Sequence, residues 1–375
     1  MVVDRKAEIL AAAAELFAAQ GFSGTSVDQI GASVGLTGPA LYRHYRGKDA
    51  LLAAVVMDTV AAFAVSEAAS ADGVEAVVAE AVAVALDGPA PLATYVRERH
   101  RLVGEEREAL ARAERRLYRP WRAVIRAANP ALAEDAVAPR QLAALTAMSE
   151  VASQPQSVAR PALERLLIGS MVAVLGAPPI PAAPAPDPSG WTLPPSRRDR
   201  IRAEALRLFR QRGYHGVGMD EIGRAVGVSG PTIYSHHASK AAILLDASER
   251  AEARLEAAAH HAVARAASAS DALDRLAAAS LRVAADDGDL VVVTSREAAA
   301  LDALDARRLA RRRDEVLATW SAVVGALRPD LPEGAVRAVV SGVLPLVGQV
   351  GYGLHDADVG APLVRAWCLG ELTIV

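Results

Sequence analysis

Three side chains able to contact a nucleic acid occur twice at one spacing in this chain of 375 residues. They are Tyr42, His44 and Lys48 and, 192 residues later, Tyr234, His236 and Lys240. Phenol, imidazole and ammonium groups donate hydrogen bonds to phosphate oxygens and to base edges. We find no nucleophile elbow, no phosphate-binding glycine loop and no paired Ser, His and Asp pattern in the sequence, so an enzyme is the weaker hypothesis.

These side chains belong to a longer repeat. Residues 21–52 and 213–244 align without a gap, and 14 of the 32 positions are identical. An ungapped repeat of this length is not chance, and it predicts two copies of one structural module.

Each copy has the pattern of two short helices joined by a tight turn. Ser26 with Gln29 forms a capping-box signature that begins a helix, and Pro39 lies near the start of the next one. The glycine-containing turn at residues 35–38 lies between them. This pattern predicts a helix-turn-helix, whose second helix enters the DNA major groove.

The second helix carries side chains that suit a groove. These are small, polar or aromatic: Thr37, Ala40, Tyr42, Arg43 and His44. Lys48 opens the following helix, where the helix dipole does not favour a cation, and a phosphate partner would explain it. The alternative is that Tyr42 and His44 only pack and that Lys48 is solvated. The repetition of the whole pattern favours contact with DNA.

The repeated motif resembles the DNA-binding domain of the TetR family of bacterial regulators. The resemblance implies an all-α protein that dimerises and leaves its operator when a small molecule binds its C-terminal domain. It also implies the DNA contacts, which in the first copy are Thr25, Thr37, Tyr42, His44 and Lys48. The matching positions of the second copy are Val217, Ser229, Tyr234, His236 and Lys240, and the base-facing position of Ala40 is occupied by Thr232.

The second copy departs from the family pattern at three positions. Val217 and Gly218 replace a Thr-Ser pair, which removes a hydroxyl contact and a side-chain cap, and His237 replaces Tyr45. Residues 196–245 carry nine basic and four acidic residues, whereas the charges of residues 1–50 cancel. Electrostatic attraction to phosphate would offset part of what the second copy lost.

Composition favours a helical protein of the cytoplasm. Hydrophobic residues make up 52% of the chain and aromatic residues only 4%, which favours helices over sheets. The single cysteine, Cys368, fits a reducing compartment, and the N-terminus has no apolar signal region. The uncharged run at residues 338–355 contains Pro345 and four glycines, which suggests a buried core helix rather than a membrane span.

The regulatory regions are also duplicated, at an offset of 199. Arg97-Glu98 matches Arg296-Glu297, and the segment beginning at Trp121 matches that at Trp320. The predicted architecture is therefore two tandem TetR-like units, each with a three-helix DNA-binding domain and a helical ligand-binding and dimerisation domain. The predicted domains are residues 1–48, 49–176, 196–240 and 241–375, with a proline-rich linker at residues 177–195.

Within the regulatory domains we expect a continuous helix from Asp49 to about Ala71, a charged turn at residues 104–107, and two final helices in each half. Apolar segments with a few central polar groups predict a ligand pocket. The candidate ligand-binding residues are Arg97, Tyr118, Trp121, Arg296, Trp320 and Gln349. The alternative is that these are ordinary core and helix-face residues. The pattern is similar to actinobacterial TetR-family repressors of lipid and sterol catabolism, which implies a small apolar or acyl-CoA-like effector.

Two further clusters of charged or metal-binding residue types give weaker indications of function. The histidine pairs at residues 236–237 and 260–261 lack a zinc-like spacing, so we expect no metal and no cofactor. The arginine run at residues 311–313 is expected to be a solvated face, with contact to an anionic ligand as the less favoured alternative.

The sequence therefore predicts a ligand-responsive repressor whose two units act as a pseudo-dimer within one chain. Arg43 is replaced by Ser235 in the second copy, so we expect an asymmetric double-stranded operator. The alternative is a regulator whose second unit is a degenerate interaction module and whose DNA binding needs a homodimer.

Overall fold

The computed structural model describes residues 5–177, 196–228, 230–286, 288–297, 300–354 and 357–370. All regular secondary structure in these ranges is helical, which confirms the all-α prediction. The chain divides into two compact units, Met1–Pro178 with Gly370–Val375, and Pro179–Leu369. The division falls in the proline-rich stretch, and the predicted linker lies outside the described residues except for Ala177.

The first unit begins with the helix-turn-helix module and continues into a helical bundle. Its helices are α1 (Arg5–Gly24), α2 (Val27–Ser33), α3 (Gly38–Leu41), α4 (Lys48–Ala62), α5 (Glu67–Asp72), α6 (Val74–Asp87), α7 (Pro89–Glu98), α8 (Gly104–Ala128), α9 (Glu134–Ser153) and α10 (Arg160–Gly176). A short 3-10 turn, Arg99–Arg101, follows α7. Helix α7 packs on α1, α4 and α9, so it lies between the helix-turn-helix module and the rest of the bundle.

The second unit repeats this plan. Its helices are α11 (Arg197–Arg212), α12 (Met219–Ala225), α13 (Gly230–His236), α14 (Lys240–Ala264), α15 (Ala269–Asp286), α16 (Gly288–Arg296), α17 (Ala303–Leu327), α18 (Glu333–Ser341), α19 (Val343–Leu354) and α20 (Ala357–Leu369). Apolar residues of the module and of α16 share one core, which includes Ile222 and Ile233 of the module and Leu290 and Val293 of α16. Helix α16 therefore has the place in this unit that α7 has in the first.

The predicted continuous helix from Asp49 to Ala71 is wrong, because the chain breaks after α4. Ser66 caps α5 by accepting the Ala69 N–H at 3.0 Å, and Glu80 accepts both the N–H and the hydroxyl of Ser66. The second unit has Ala258 at this position, and α14 runs through it without a break. A serine that can cap a helix explains the difference, since alanine offers no such acceptor.

Two other element predictions are corrected. Residues 104–107 are the first turn of α8 rather than a separate charged turn, because Glu105 and Glu106 are stabilised by the helix N-terminus. The last part of the second unit forms three helices, α18 to α20, instead of the two expected. Helix α18 ends at Gly342, where the aromatic ring of Trp367 leaves no room for a side chain.

One apolar stretch among the described residues, Glu333–Gly351, is long enough to cross a membrane by length and composition. Because 67% of it is buried inside the protein, it has the character of a core segment, as the sequence predicted for this region.

Candidate nucleic-acid interface

The first short helix of the module begins at a complete capping box. Ser26 Oγ accepts the Gln29 N–H at 3.1 Å, and Gln29 Oε1 accepts the Ser26 N–H at 2.7 Å. This confirms the sequence prediction. In the second unit Gly218 occupies the cap position and makes no side-chain hydrogen bond, so the predicted loss of the cap is confirmed as well.

The turn between the two helices has the same geometry in both units. Gly35 has a φ of 68° and Gly227 a φ of 69°, a conformation that costs glycine little and other residues much. The chain then closes the turn with a hydrogen bond from the Leu36 N–H to the Gly31 carbonyl at 2.8 Å. The equivalent bond in the second unit, from Val228 to Gly223, measures 2.9 Å. Both modules therefore turn the chain into their second helix in the same way.

Buried apolar residues fix the second helix, and its other face lies toward solvent. Leu41 and Ile233 are completely buried at corresponding positions. The next residue in each copy is an exposed tyrosine, with 55% of Tyr42 and 52% of Tyr234 accessible to solvent. We call this solvent-facing side of the helix the reader surface. It is formed by residues 37, 40 and 42–44 of the first unit and by residues 232 and 234–236 of the second.

Most predicted contact residues of the first unit lie on the reader surface. Thr37, Arg43 and His44 are exposed and Ala40 is half-buried. In the second unit Thr232 and His236 are half-buried, and Ser229 lies outside the described residues. Ser235 Oγ donates to the Thr232 carbonyl at 2.8 Å, so its hydroxyl hydrogen is directed back to its own helix.

Thr25 has a different environment from the one expected for a phosphate contact. Only 2% of it is accessible, and its hydroxyl lies 2.9 Å from the Gly21 carbonyl oxygen and 3.1 Å from that of Leu16. The hydroxyl therefore stabilises the end of α1 instead of facing solvent. Val217, its counterpart, is also buried, which explains why an apolar residue can replace a threonine there.

Lys48 and Lys240 also face inward. Lys48 Nζ donates to the carbonyl oxygens of Phe22 and Thr25, both at 2.8 Å. Lys240 Nζ does the same with Tyr214 at 2.7 Å and Val217 at 2.9 Å. The sequence alone could not identify these carbonyl partners. They account for a lysine at the start of each helix without a DNA phosphate. Burial lowers the pKa of both ammonium groups from the ordinary lysine value.

In the helical bundles that follow the two modules, two predicted ligand residues are buried and each has a hydrogen-bond donor without a partner in the described part of the chain. Trp121 and Trp320 lie in the cores of their units, and the indole N–H of each has no hydrogen-bond partner among the described residues. Trp367, by contrast, donates to the Val339 carbonyl at 2.9 Å. The side-chain amide of Gln141, which is 1% exposed, also finds no partner in the described part of the chain.

The other predicted ligand residues have varied positions. Tyr118 is half-buried, and its hydroxyl lies 2.7 Å from that of Tyr95. Burial raises the pKa of both phenols, so each is a neutral donor and acceptor. Gln349 is half-buried on α19. The side chain of Arg296 lies outside the described residues.

Arg97 contacts the helix-turn-helix module of its unit. Its Nη1 donates to the Ala18 carbonyl at the end of α1, at 2.8 Å. The sequence analysis placed Arg97 among the candidate ligand residues because it lies in an apolar segment. It did not predict the contact of the neighbouring Glu98, whose Oε1 accepts the Phe22 N–H at 3.0 Å. The repeated Arg-Glu pair at the 199 offset was the signal that could have indicated this contact. Within the described residues no group of three or more potential metal ligands lies together.

Comparison with known proteins agrees with this geometry. Residues 9–55 and 201–247 both match the family described as bacterial regulatory proteins, tetR family. The HTH-type transcriptional activator FasR of Mycolicibacterium smegmatis is 43% identical over 54 residues, which are 14% of this chain and 25% of that protein. The chain thus spans about a quarter of the length of this curated relative.

Solved structures similar to the chain include three TetR-family regulators. PfmR from Thermus thermophilus is 25% identical, covers 43% of this chain and 97% of its own, and gives a TM-score of 0.37. A regulator from Bordetella parapertussis is 20% identical, with coverages of 48% and 97% and a TM-score of 0.44. The ketosteroid regulator KstR2 of Mycobacterium tuberculosis is 21% identical, with coverages of 47% and 94% and a TM-score of 0.40.

The duplicated helix-turn-helix and the two family matches define the class of these modules: residues 9–55 and 201–247 are helix-turn-helix modules of the tetR family of bacterial regulatory proteins. Each of the two units carries one of these modules, and the family that matches them is one of regulatory proteins.

Proposed function

We propose that this protein is a cytoplasmic, ligand-responsive repressor that binds double-stranded DNA through both of its reader surfaces. The observation that carries the proposal is the equal exposure of Tyr42 and Tyr234 on two modules of the same geometry. One chain supplies the two readers that a TetR-like homodimer would supply from two chains, so it acts as a single-chain pseudo-dimer.

The readers differ in what they offer a base pair, and this difference supports an asymmetric operator. Arg43 is an exposed guanidinium, which can donate two hydrogen bonds to a guanine. Ser235, at the equivalent position, uses its hydroxyl hydrogen within its own helix. A bidentate arginine contact discriminates between bases by about 1–3 kcal/mol. The half-site under Arg43 should therefore be the more sharply specified.

The unused polar groups in the regulatory cores support an effector site. A buried donor without a partner costs about 1–3 kcal/mol, and a bound ligand or an ordered water would remove that cost. Trp121 and Gln141 offer such groups in the first unit and Trp320 in the second. We propose a small apolar or acyl-CoA-like effector that binds the DNA-incompetent state more tightly than the DNA-binding state.

Footprinting on the DNA upstream of the protein's own gene, combined with mass measurement of the complex, tests the proposal. We expect one chain on a site with two unequal halves, and Arg43→Ala to relax sequence preference in one half only. A perfect palindrome covered by two chains related by a two-fold axis would refute the single-chain arrangement. Increased expression of the neighbouring genes on deletion is the expected sign of a repressor.

A second arrangement, a homodimer whose second units serve as interaction modules, is favoured by one observation. The second reader lacks the side-chain cap that Ser26 supplies in the first. Substituting Tyr234→Ala separates the two arrangements, because it weakens DNA binding only if the second reader contacts DNA.

A further inference from the structure

Helix α7 is bonded to the end of α1 by adjacent residues. Arg97 Nη1 lies 2.8 Å from the Ala18 carbonyl oxygen, and Glu98 Oε1 lies 3.0 Å from the Phe22 nitrogen. One turn earlier on α7, Thr94 Oγ1 donates to the Ala14 carbonyl at 3.1 Å. The bonds run up one face of α1 and end at its last turn.

The hydrogen bonds of Arg97 and Glu98 satisfy the acceptor and the donor of one helical hydrogen bond that α1 does not form. In an unbroken α-helix the Phe22 N–H would donate to the Ala18 carbonyl, four residues earlier. Gly21 breaks that continuity, because its φ of 72° and ψ of 161° are not helical. Arg97 donates instead to the Ala18 carbonyl, and Glu98 accepts the Phe22 N–H. The kink in α1 is therefore completed by side chains of the regulatory domain.

The kink at Gly21 determines the path of the chain from α1 into α2, and with it the position of the reader surface. The residues from Gly21 to Ser26 connect α1 to α2, and α2 begins at the Ser26 cap. Lys48 holds the same connection from α4 through the carbonyls of Phe22 and Thr25. The connection is thus held between two elements, and its path depends on the position of α7.

The second unit repeats the arrangement with its own residues. Gly213 has a φ of 73° and a ψ of 155°, and the Tyr214 N–H donates to Glu297 Oε1 at 3.2 Å. Glu98 is 3% exposed and Glu297 is 8% exposed. A buried carboxylate is costly unless it is hydrogen-bonded or paired with a charge. Glu98 Oε2 accepts from Arg101 Nε at 2.5 Å, so an ion pair accounts for part of its burial. The feature that both glutamates share is the N–H after the kink.

On its other side, α7 is bonded to α8. The Tyr95 hydroxyl lies 2.7 Å from both Glu114 Oε1 and the Tyr118 hydroxyl. Arg99, in the 3-10 turn after α7, lies 2.8 Å from the same carboxylate. Helix α7 therefore joins a polar network inside the regulatory domain to the kink of α1.

We propose that Glu98 and Glu297 are positioning residues for DNA binding, each fixing its reader by accepting the N–H that follows the kink. A displacement of α7 or α16 inside the regulatory domain then changes the path of the α1–α2 or α11–α12 connection and so the orientation of the reader. The inference rests on the proposed DNA binding.

Amide hydrogen exchange and DNA affinity, measured on the full chain, test the role of Glu98. Glu98→Ala removes the acceptor, and we expect exchange at Phe22 to be about tenfold faster and DNA binding about tenfold weaker. Glu98→Gln keeps a carbonyl oxygen and should restore both to within about threefold of wild type. Glu80→Ala is the matched control, because Glu80 also accepts a backbone N–H, that of Ser66, away from the reader. It should leave exchange at Phe22 unchanged.

A double-mutant cycle separates coupling from a general loss of stability. Tyr118→Phe removes one bond of the network on the far side of α7. We expect it to change exchange at Phe22 in the wild-type background and not in the Glu98→Ala background. Equal effects in both backgrounds would overturn the proposal, as would an alanine variant with normal exchange at Phe22. If the wild-type protein binds no DNA, the proposed function fails, while the exchange measurements still decide whether Glu98 holds the connection.

Discussion

Lys48 and Phe22 are joined in two ways. The ammonium nitrogen lies 2.8 Å from the Phe22 carbonyl oxygen and 4.4 Å from the centre of the Phe22 ring. Lys240 and Tyr214 repeat the pair, with distances of 2.7 Å and 4.2 Å. A lysine at the first position of a helix is therefore used in both units to stabilise the preceding connection between α1 and α2, or between α11 and α12.

Replacing Lys48 separates this internal role from a phosphate contact. We expect Lys48→Ala to weaken DNA binding, because the connection loses two hydrogen bonds and a cation–π contact. A lost phosphate contact would lower the slope of log affinity against log salt by about 1. We expect the slope to stay unchanged, together with faster amide exchange at residues 22–25. Lys240→Ala is the matched variant in the second unit. A lower slope in either variant would show that the lysine contacts a DNA phosphate.

The exposed tyrosines are expected to contact the DNA backbone. Tyr42→Phe removes only a hydroxyl, which is worth about 0.5–1.5 kcal/mol when it donates a hydrogen bond. We expect weaker binding to specific and random DNA alike, with an unchanged melting temperature, since the side chain is 55% exposed. Tyr234→Phe should behave in the same way. Titrations with specific and with random DNA at one salt concentration measure the two affinities. Unchanged affinities would show that these tyrosine hydroxyls do not contact DNA.

An effector that occupies the regulatory core should stabilise the protein. A ligand at 100 times its dissociation constant adds about 2.7 kcal/mol to the free energy of unfolding. We expect long-chain acyl-CoA thioesters to raise the melting temperature and to release the protein from DNA. Trp121→Phe removes the buried indole donor and should reduce the shift. No shift with any lipid-derived thioester would count against this class of effector.

Buried His237 should make the second unit sensitive to acid. Burial lowers the pKa of this imidazole below its ordinary value of 6.5, and the charge of Arg198 lowers it further, while Asp246 opposes the shift. The unfolded chain therefore binds more protons than the folded one between the two pKa values. Stability should fall as the pH drops through about 6.5 toward the lower, folded value. Melting curves at about pH 7.5 and pH 5.5 measure the loss, and His237→Gln should reduce it.

The helix-turn-helix could be predicted from the sequence because its determinants are local. Ser26 with Gln29 makes a cap within one turn, and Gly35 makes a turn that few other residues allow. The repeat at one offset then indicated two copies. The break after α4 was missed because it depends on Glu80, fourteen residues from Ser66, and not only on the local pattern.

The roles of the charged and polar side chains were decided only by the tertiary structure. The sequence located Thr25, Lys48 and Arg97 but not their partners, which are backbone carbonyls brought close by the kink at Gly21. A carbonyl has no identity in a sequence, since every residue carries one. The sequence by itself thus determined the two helix-turn-helix modules, their duplication and their resemblance to one family. Whether a donor faces DNA or the backbone of its own chain depends on which carbonyls packing leaves unpaired, and only the folded chain decides that.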